Sequence, residues 1–240
     1  MKPFILVTGA SGGIGRAIST LLAANGYNLY LHYNTNQLAI DQLSKEIEYF
    51  GGEYIPVKAD LSSQQGPEIL AKQIFSVNGI ILNSGKSHYG LMEEVEELKI
   101  MEMVQLHVTS PYTIVKKLLP KIKRDQTGSI VAVTSIWGQT GAACEVLYSM
   151  VKGGQHSFIK ALAKELALSG IRVNAVSPGA IQTDMLSQFS MEDLESLMDE
   201  IPMGRLGLPN EIAEAILFLL SEKSSYITGQ ILSVNGGWYT

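Results

Sequence analysis

The chain has 240 residues, enough for one α/β domain with a sizeable core, and its 46% apolar and 17% charged content excludes a disordered tail or a coiled coil. Eighteen Lys and Arg against 23 Asp and Glu leave a net charge of −5 with no basic run, so nucleic acid is not an expected partner. The one cysteine, Cys144, rules out an intrachain disulfide framework and a multi-cysteine zinc site, and no apolar run reaches the ~18 residues of a membrane span.

Phe4–Thr8 reads as a buried strand that begins too early to leave room for a signal peptide, so a cytoplasmic chain is expected. A helical pattern over Ile14–Asn25 puts Ile14, Ile18, Leu21 and Leu22 on one face. Tyr27–His32 is a second strand, Asn36–Phe50 a helix stopped by Gly51-Gly52, and Tyr54–Lys58 a third strand. Glu68–Phe75 is helical and Gly79–Asn83 a fourth strand; Ile100–Lys117 is a long helix in which Pro111 predicts a bend. Ser129–Thr134, Ile171–Val176 and Gln230–Val234 are further strands, with helices over Leu147–Leu168 and Pro209–Ser221. Near-continuous apolar strands alternating with helices predict an α/β fold with one doubly wound parallel sheet of about seven strands, helices on both faces. With no linker or composition shift, residues 1–240 read as a single domain. The polar, Met-rich stretch 182–205 forms a small helical lid on it.

The first strand runs into Thr8-Gly9-Ala10-Ser11-Gly12-Gly13-Ile14-Gly15, and a helix opens within that segment. Glycines there let backbone come close to a pyrophosphate, and the helix N-terminus offers it free N–H groups. This is the start of a Rossmann-type dinucleotide-binding domain.

The spacing Thr-Gly-x-x-x-Gly-x-Gly resembles the short-chain dehydrogenase/reductase family, and further matches follow in order along essentially the whole chain. Asn83-Ser84-Gly85 stands where the family usually has Asn-Asn-Ala-Gly. Ser135 ends the fifth strand, and Tyr148-Ser149-Met150-Val151-Lys152 is the family's Tyr-x-x-x-Lys. Arg172-Val173-Asn174 leads to Ser177-Pro178-Gly179 with Thr183, and Ile227-Thr228-Gly229-Gln230 and Val234-Asn235-Gly236-Gly237 match the C-terminal end. The resemblance implies that Tyr148 is the general acid of a ketone reduction, that Ser135 hydrogen-bonds the substrate oxygen, and that Lys152 holds the cofactor ribose. One turn beyond Tyr148, the Lys152 ammonium, together with the charged nicotinamide ring, is expected to favour the phenolate and lower the tyrosine's pKa. No metal is implied.

The same resemblance assigns cofactor contacts to Gly9, Ser11, Gly12, Gly13, Ile14 and Gly15 of the first loop, and to Tyr33, Asn34 and Thr35 after the second strand. Asp60 and Leu61, then Asn83, Ser84 and Gly85, then Pro178, Gly179, Ile181 and Thr183 complete the set with Tyr148 and Lys152. His32-Tyr33-Asn34-Thr35-Asn36 holds no carboxylate to repel a 2′-phosphate, which favours NADPH over NADH. Many NADPH-using members carry a basic residue where this chain has Gly12; Arg16 is a more distant candidate. His107 aligns where the family usually has the Asn of a proton relay, and is expected either to replace it there or to be a packed core histidine.

The branch most similar overall is the 3-oxoacyl-[acyl-carrier-protein] reductases, which grip their acidic carrier through basic residues; Gln126 and Ser169 stand at those positions here. Trp137 and Glu145, before the catalytic tyrosine, are candidate substrate contacts; a carboxylate at Glu145 either anchors an ammonium group, which it suits better than an acyl chain, or faces solvent or caps the helix N-terminus. The segment 135–147, with Leu106-His107-Val108 and Asn83–His88, resembles a subgroup of Bacillus-type bacteria. Its members reduce a 5-aminopentanone group on a lysine of translation elongation factor P. The acidic run Glu93, Glu94, Glu96 and Glu97 would suit the same substrate. A non-catalytic NADP-binding regulator is a remote alternative, because such proteins usually lose the Tyr or Lys kept here. Apolar lid residues Met185, Leu186, Phe189, Met191, Leu194, Leu197, Met198 and Met203 are candidate substrate surface, and the family resemblance implies a homotetramer.

Overall fold

Segments such as Ile5-Leu6-Val7 and Ile80-Ile81-Leu82 are apolar at successive residues, so both of their faces must be covered. The computed structural model describes residues 2–122, 128–183, 186 and 190–240 and meets that demand. Strands β1 (Phe4–Val7), β2 (Asn28–Tyr33), β3 (Tyr54–Lys58), β4 (Gly79–Leu82), β5 (Gly128–Val133), β6 (Ile171–Pro178) and β7 (Ile231–Val234) form one parallel sheet, in the order β3-β2-β1-β4-β5-β6-β7. Gln126, Met185 and Phe189 lie outside the described residues.

Alternate residues of each strand feed two separate cores. Leu6, Ile80, Ile130 and Val173 pack on one face under α3 (Gly66–Gln73), α5 (Ser110–Leu118) and α7 (Val146–Leu166). Ile5, Val7, Ile81, Val131 and Val176 pack on the other, under α1 (Gly13–Ala24), α2 (Gln37–Ile47) and α9 (Pro209–Leu220). Pro56 lies in the edge strand β3, the place in a sheet where a missing N–H is tolerated.

The long central helix departs from expectation at Pro111. It starts at Glu97 rather than Ile100, runs as α4 (Glu97–Val104), widens into a π-helical turn over Gln105–Thr109, and continues as α5. The wide turn places Pro111 among the first residues of α5, where its missing N–H breaks no ladder bond. Two short helices, α6 (Trp137–Thr140) and α8 (Met191–Asp199), complete the set. Ser190 and Asp193 close α8's N-terminus as a capping box.

One buried cation fastens the end of α9 to the sheet. Arg172 on β6 donates to the carbonyls of Leu219 (2.6 Å), Leu220 (3.0 Å) and Ser221 (3.1 Å) and to Ser224 Oγ (2.7 Å). Those carbonyls have no further helix turn to accept from, and a cation at a helix C-terminus is electrostatically favoured. Arg172→Ala should therefore lower stability by roughly 2–4 kcal/mol in urea denaturation, because four hydrogen bonds from one buried guanidinium are lost together; a loss under about 1 kcal/mol would contradict the clamp.

Candidate active site

The sheet order reverses direction between β1 and β4, so a crevice opens beyond their carboxyl ends. Thr8 stitches its two sides: its Oγ1 accepts from the N–H groups of Asn83 (2.8 Å) and Ser84 (3.0 Å) and donates to the Ile81 carbonyl. Asn83 Nδ2 answers with bonds to the carbonyls of Thr8 and Gly9. The glycine loop is packed on itself. A Cβ at Gly15 would stand 2.1 Å from the Gly9 carbonyl oxygen, and one at Gly13 would stand 2.9 Å from the Thr183 methyl. Gly12, by contrast, has no neighbour nearer than 3.7 Å.

A cleft of ≈ 1220 Å³ extends from this loop to the Tyr148 side chain, larger than the pocket of a drug-sized ligand and with room for a dinucleotide and a substrate together. Its wall contains every cofactor-contact candidate except Tyr33 and Thr35. The Tyr33 ring is buried and its hydroxyl bonds Gln37 instead. Arg16 pairs with Glu46. Asn34 is tied to Asp60, whose carboxylate also holds Ser62. The glycine cradle, the polar residues at the strand ends and the absence of a carboxylate at the end of β2 fit NADPH.

Helix α7 carries a buried stripe that begins with chemistry and ends in core: Tyr148, Lys152, Gln155 and His156, then Ile159, Ala163 and Leu166. Lys152 Nζ donates to the Val133 carbonyl at 3.1 Å and sits 5.4 Å from the centre of the Tyr148 ring. Ser135 bonds the Tyr148 hydroxyl, and its Oγ accepts from the Trp137 N–H at 3.2 Å. The protein's own groups hold the Tyr148 pKa up, so the expected lowering falls to the nicotinamide ring together with Lys152. Burial pushes the Tyr148 pKa well above the ordinary phenol value, the Glu145 charge adds to that, and the Ser135 bond opposes it. Burial also drives Lys152 down to about 7, so its ammonium is a weaker ally of the phenolate than the sequence suggests.

His107 sits in the π-helical turn, fully buried, outside the cleft wall. Its Nε2 lies 3.0 Å from the Lys86 carbonyl, and its Nδ1 is buried with no hydrogen-bond partner among the described residues. A Cβ on Gly85 would reach 2.7 Å from the ring, so the glycine makes space for the imidazole. Burial, then the Lys152 charge, holds its pKa down at about 3, against the bond to Lys86. The ring is therefore neutral at physiological pH.

The far end of the cleft is acidic and aromatic. Glu145 is half-buried, its pKa raised by burial against a bond from the Trp137 side chain. Trp137 meets Trp238 edge-on at 5.0 Å, and both line the cleft. Cys144 just before Glu145 takes a left-handed backbone, φ 61°, with its carbonyl held by the Gly90 N–H at 2.8 Å. Glu93, Glu94, Glu96 and Glu97 are solvent-exposed and are not part of the cleft wall. Asp193 and Glu200, at the two ends of α8, are. Sequence reasoning missed these two, together with Tyr89, Trp238 and His32. The Ser190-x-x-Asp193 capping signal could have placed the first at a helix start, but nothing local aims it at the cleft.

Over residues 9–239 the chain matches the family profile described as enoyl-(acyl carrier protein) reductase. It is 59% identical to an uncharacterized oxidoreductase, YmfI, of Bacillus subtilis across the full length of both chains. It is 33% identical, again across both full lengths, to the 3-oxoacyl-[acyl-carrier-protein] reductase FabG of Staphylococcus epidermidis. Among solved structures it matches the angucycline C-6 ketoreductase LanV with bound NADP, with a TM-score of 0.93 at 28% identity, covering 98% of this chain and 95% of that one.

Burial keeps His32, His107 and His156 neutral and so makes stability acid-sensitive. His32, held down at about 4, and His107, at about 3, refuse protons that the unfolded chain takes up near pH 6.5. Their contribution is present above pH 6.5 and lost as the pH falls towards those folded-state values. Urea denaturation at pH 7 and pH 5 should show a loss of about 2 kcal/mol for each of His32 and His107, with His156 adding in the same direction; equal stability at both pH values would contradict their neutral burial.

Proposed function

Because the chain belongs to the short-chain dehydrogenase/reductase family of oxidoreductases, we propose that it is an NADPH-dependent ketone reductase whose substrate is the 5-aminopentanone group on a lysine of elongation factor P, reduced to 5-aminopentanol. The observation that carries the substrate is the half-buried Glu145 carboxylate in the cleft wall, bonded by Trp137, which in turn packs on Trp238 of the same wall. A carboxylate and indole faces together recognise an organic ammonium by charge pairing and cation–π attraction. Asp193 and Glu200 add negative charge to the same wall.

NADPH, when bound, supplies the hydride. The glycine loop and the N-terminus of α1 would hold its pyrophosphate, and Asn34, a neutral donor, would serve the 2′-phosphate. Ser135 donates to the ketone oxygen, its own lone pair being engaged by the Trp137 N–H. Tyr148 transfers its phenolic proton to that oxygen as the carbonyl becomes an alcohol. Its raised pKa keeps the proton in place until substrate arrives. An ammonium seated on Glu145 cancels the charge that helps hold the pKa up, so the correct substrate sharpens the acid. Lys152, fixed by the Val133 carbonyl, would hold the ribose, and in its charged form it favours the phenolate left when Tyr148 gives up its proton. His107 takes the relay role as a neutral acceptor through Nδ1, not as a proton store.

An acyl-carrier-bound ketone is the second reading, favoured by the 33% identity to FabG. Against it stand the acidic wall and the neutral, exposed Ser169, which offers an acidic carrier no cation. Residues 182–205 serve as the substrate lid of a single-domain cytoplasmic enzyme, with α8 as its described wall. Leu98, Met101, Tyr112 and Met150, all more than half exposed on α4, α5 and α7, supply the apolar surface for a homotetramer.

Mass spectrometry of elongation factor P tests this directly. A deletion strain, and one complemented with Tyr148→Phe, should both accumulate the ketone form, while the wild-type gene restores the alcohol. Fully reduced elongation factor P in the deletion strain would rule the substrate out.

A further inference from the structure

One imidazole joins the carboxyl ends of four neighbouring strands at the crevice. His32 stands near the end of β2 and is 2% exposed. Its Nε2 lies 3.1 Å from the carbonyl of Ala59, just beyond β3. Its Nδ1 accepts from the N–H of Gly9, just beyond β1, at 3.0 Å, and the Ser84 hydroxyl beyond β4 stands 3.4 Å from the same nitrogen. The pairing fixes the tautomer: Nε2 carries the hydrogen and gives it to Ala59, which leaves Nδ1 as the acceptor that Gly9 requires. Main chain adds a further tie, because the Ala10 N–H donates to the His32 carbonyl at 2.8 Å.

Resting on the assignment of this cleft to NADPH, we propose that His32 is a positioning residue for the dinucleotide, locking the first N–H of the glycine loop so that the loop keeps one shape at the pyrophosphate. Gly9 is the hinge of that loop, with φ +68° and its carbonyl accepting from Gly12 N–H and Asn83 Nδ2. Rotation of the Gly9 peptide would carry Gly12 and the first turn of α1 with it. Gly15, whose Cα already packs against the Gly9 carbonyl, leaves no slack for a compensating shift. Asp60, from the end of β3, is the charged group that acts on the ring; the glycine loop and the β4 end meet it with backbone and the neutral Ser84. Burial outweighs the Ala59 bond and Asp60 and keeps the imidazole neutral, its pKa about 4, as an acceptor must be.

Asparagine and glutamine separate this role from simple space filling. His32→Asn places Oδ1 where Nδ1 stands and keeps an acceptor for Gly9. His32→Gln reaches towards Ala59 but leaves the Gly9 N–H without one. Fluorescence titration with NADPH should give the Asn variant a Kd within about threefold of wild type. The Gln variant, and His32→Leu, should bind at least tenfold more weakly, with the loss falling on Kd rather than on kcat at saturating cofactor. Equal Kd values for the Asn and Gln variants, or a Leu variant that binds like wild type, would overturn the proposal. Failure of the wild-type protein to bind NADPH would instead overturn the cofactor assignment, and this role with it.

Discussion

Lys152 carries its ammonium into a place where only 4% of the residue remains exposed, and the group that meets it there is the carbonyl of Val133. Taking a cation out of water without a carboxylate partner is costly, and the fall of its pKa to about 7 expresses that cost. The surroundings exist to hold this arrangement. β5 must end where Val133 can turn its carbonyl to the lysine. α6 must approach α7 closely, and Gly138 permits it: a Cβ there would stand 2.8–2.9 Å from the Lys152 carbonyl group.

The titratable groups around Lys152 set one another's states. Its charge helps keep His107 neutral, while the Glu145 charge helps keep Tyr148 protonated. In the free protein the cleft thus holds an undissociated acid beside a weakened base. The proposed cationic substrate end, seated against Glu145, would remove one of the two influences that raise the Tyr148 pKa and so link recognition to proton transfer.

Much of this was legible in the sequence, for physical reasons. Tyr148 and Lys152 are four residues apart on a long helix, so their common face follows from helix geometry alone. The glycine loop follows from a strand, three glycines at tight spacing and a helix. All seven strands were visible as apolar runs, with ends misplaced by one or two residues. What escaped depends on contacts between distant segments. The state of Tyr148 turned on burial, which outweighs the neighbouring lysine. The π-helical turn that absorbs Pro111 has no local signature. His32 read as an ordinary strand residue, since its partners Gly9, Ala59 and Ser84 come together only once β1 to β4 are in order. Asp193 and Glu200 reach the cleft through the placement of α8, whereas the conspicuous run at Glu93–Glu97 stays in solvent.

The central claim is that this cleft selects a ketone bearing an ammonium group through Glu145. The most direct measurement is kcat/KM for NADPH-dependent reduction of an amino ketone and of its uncharged methyl-terminated counterpart, by wild-type protein and by Glu145→Gln. Wild type should prefer the amino ketone by at least tenfold, about 1.4 kcal/mol of transition-state binding, and Glu145→Gln should erase most of that preference. Equal efficiency with both ketones in the wild-type enzyme would contradict the account.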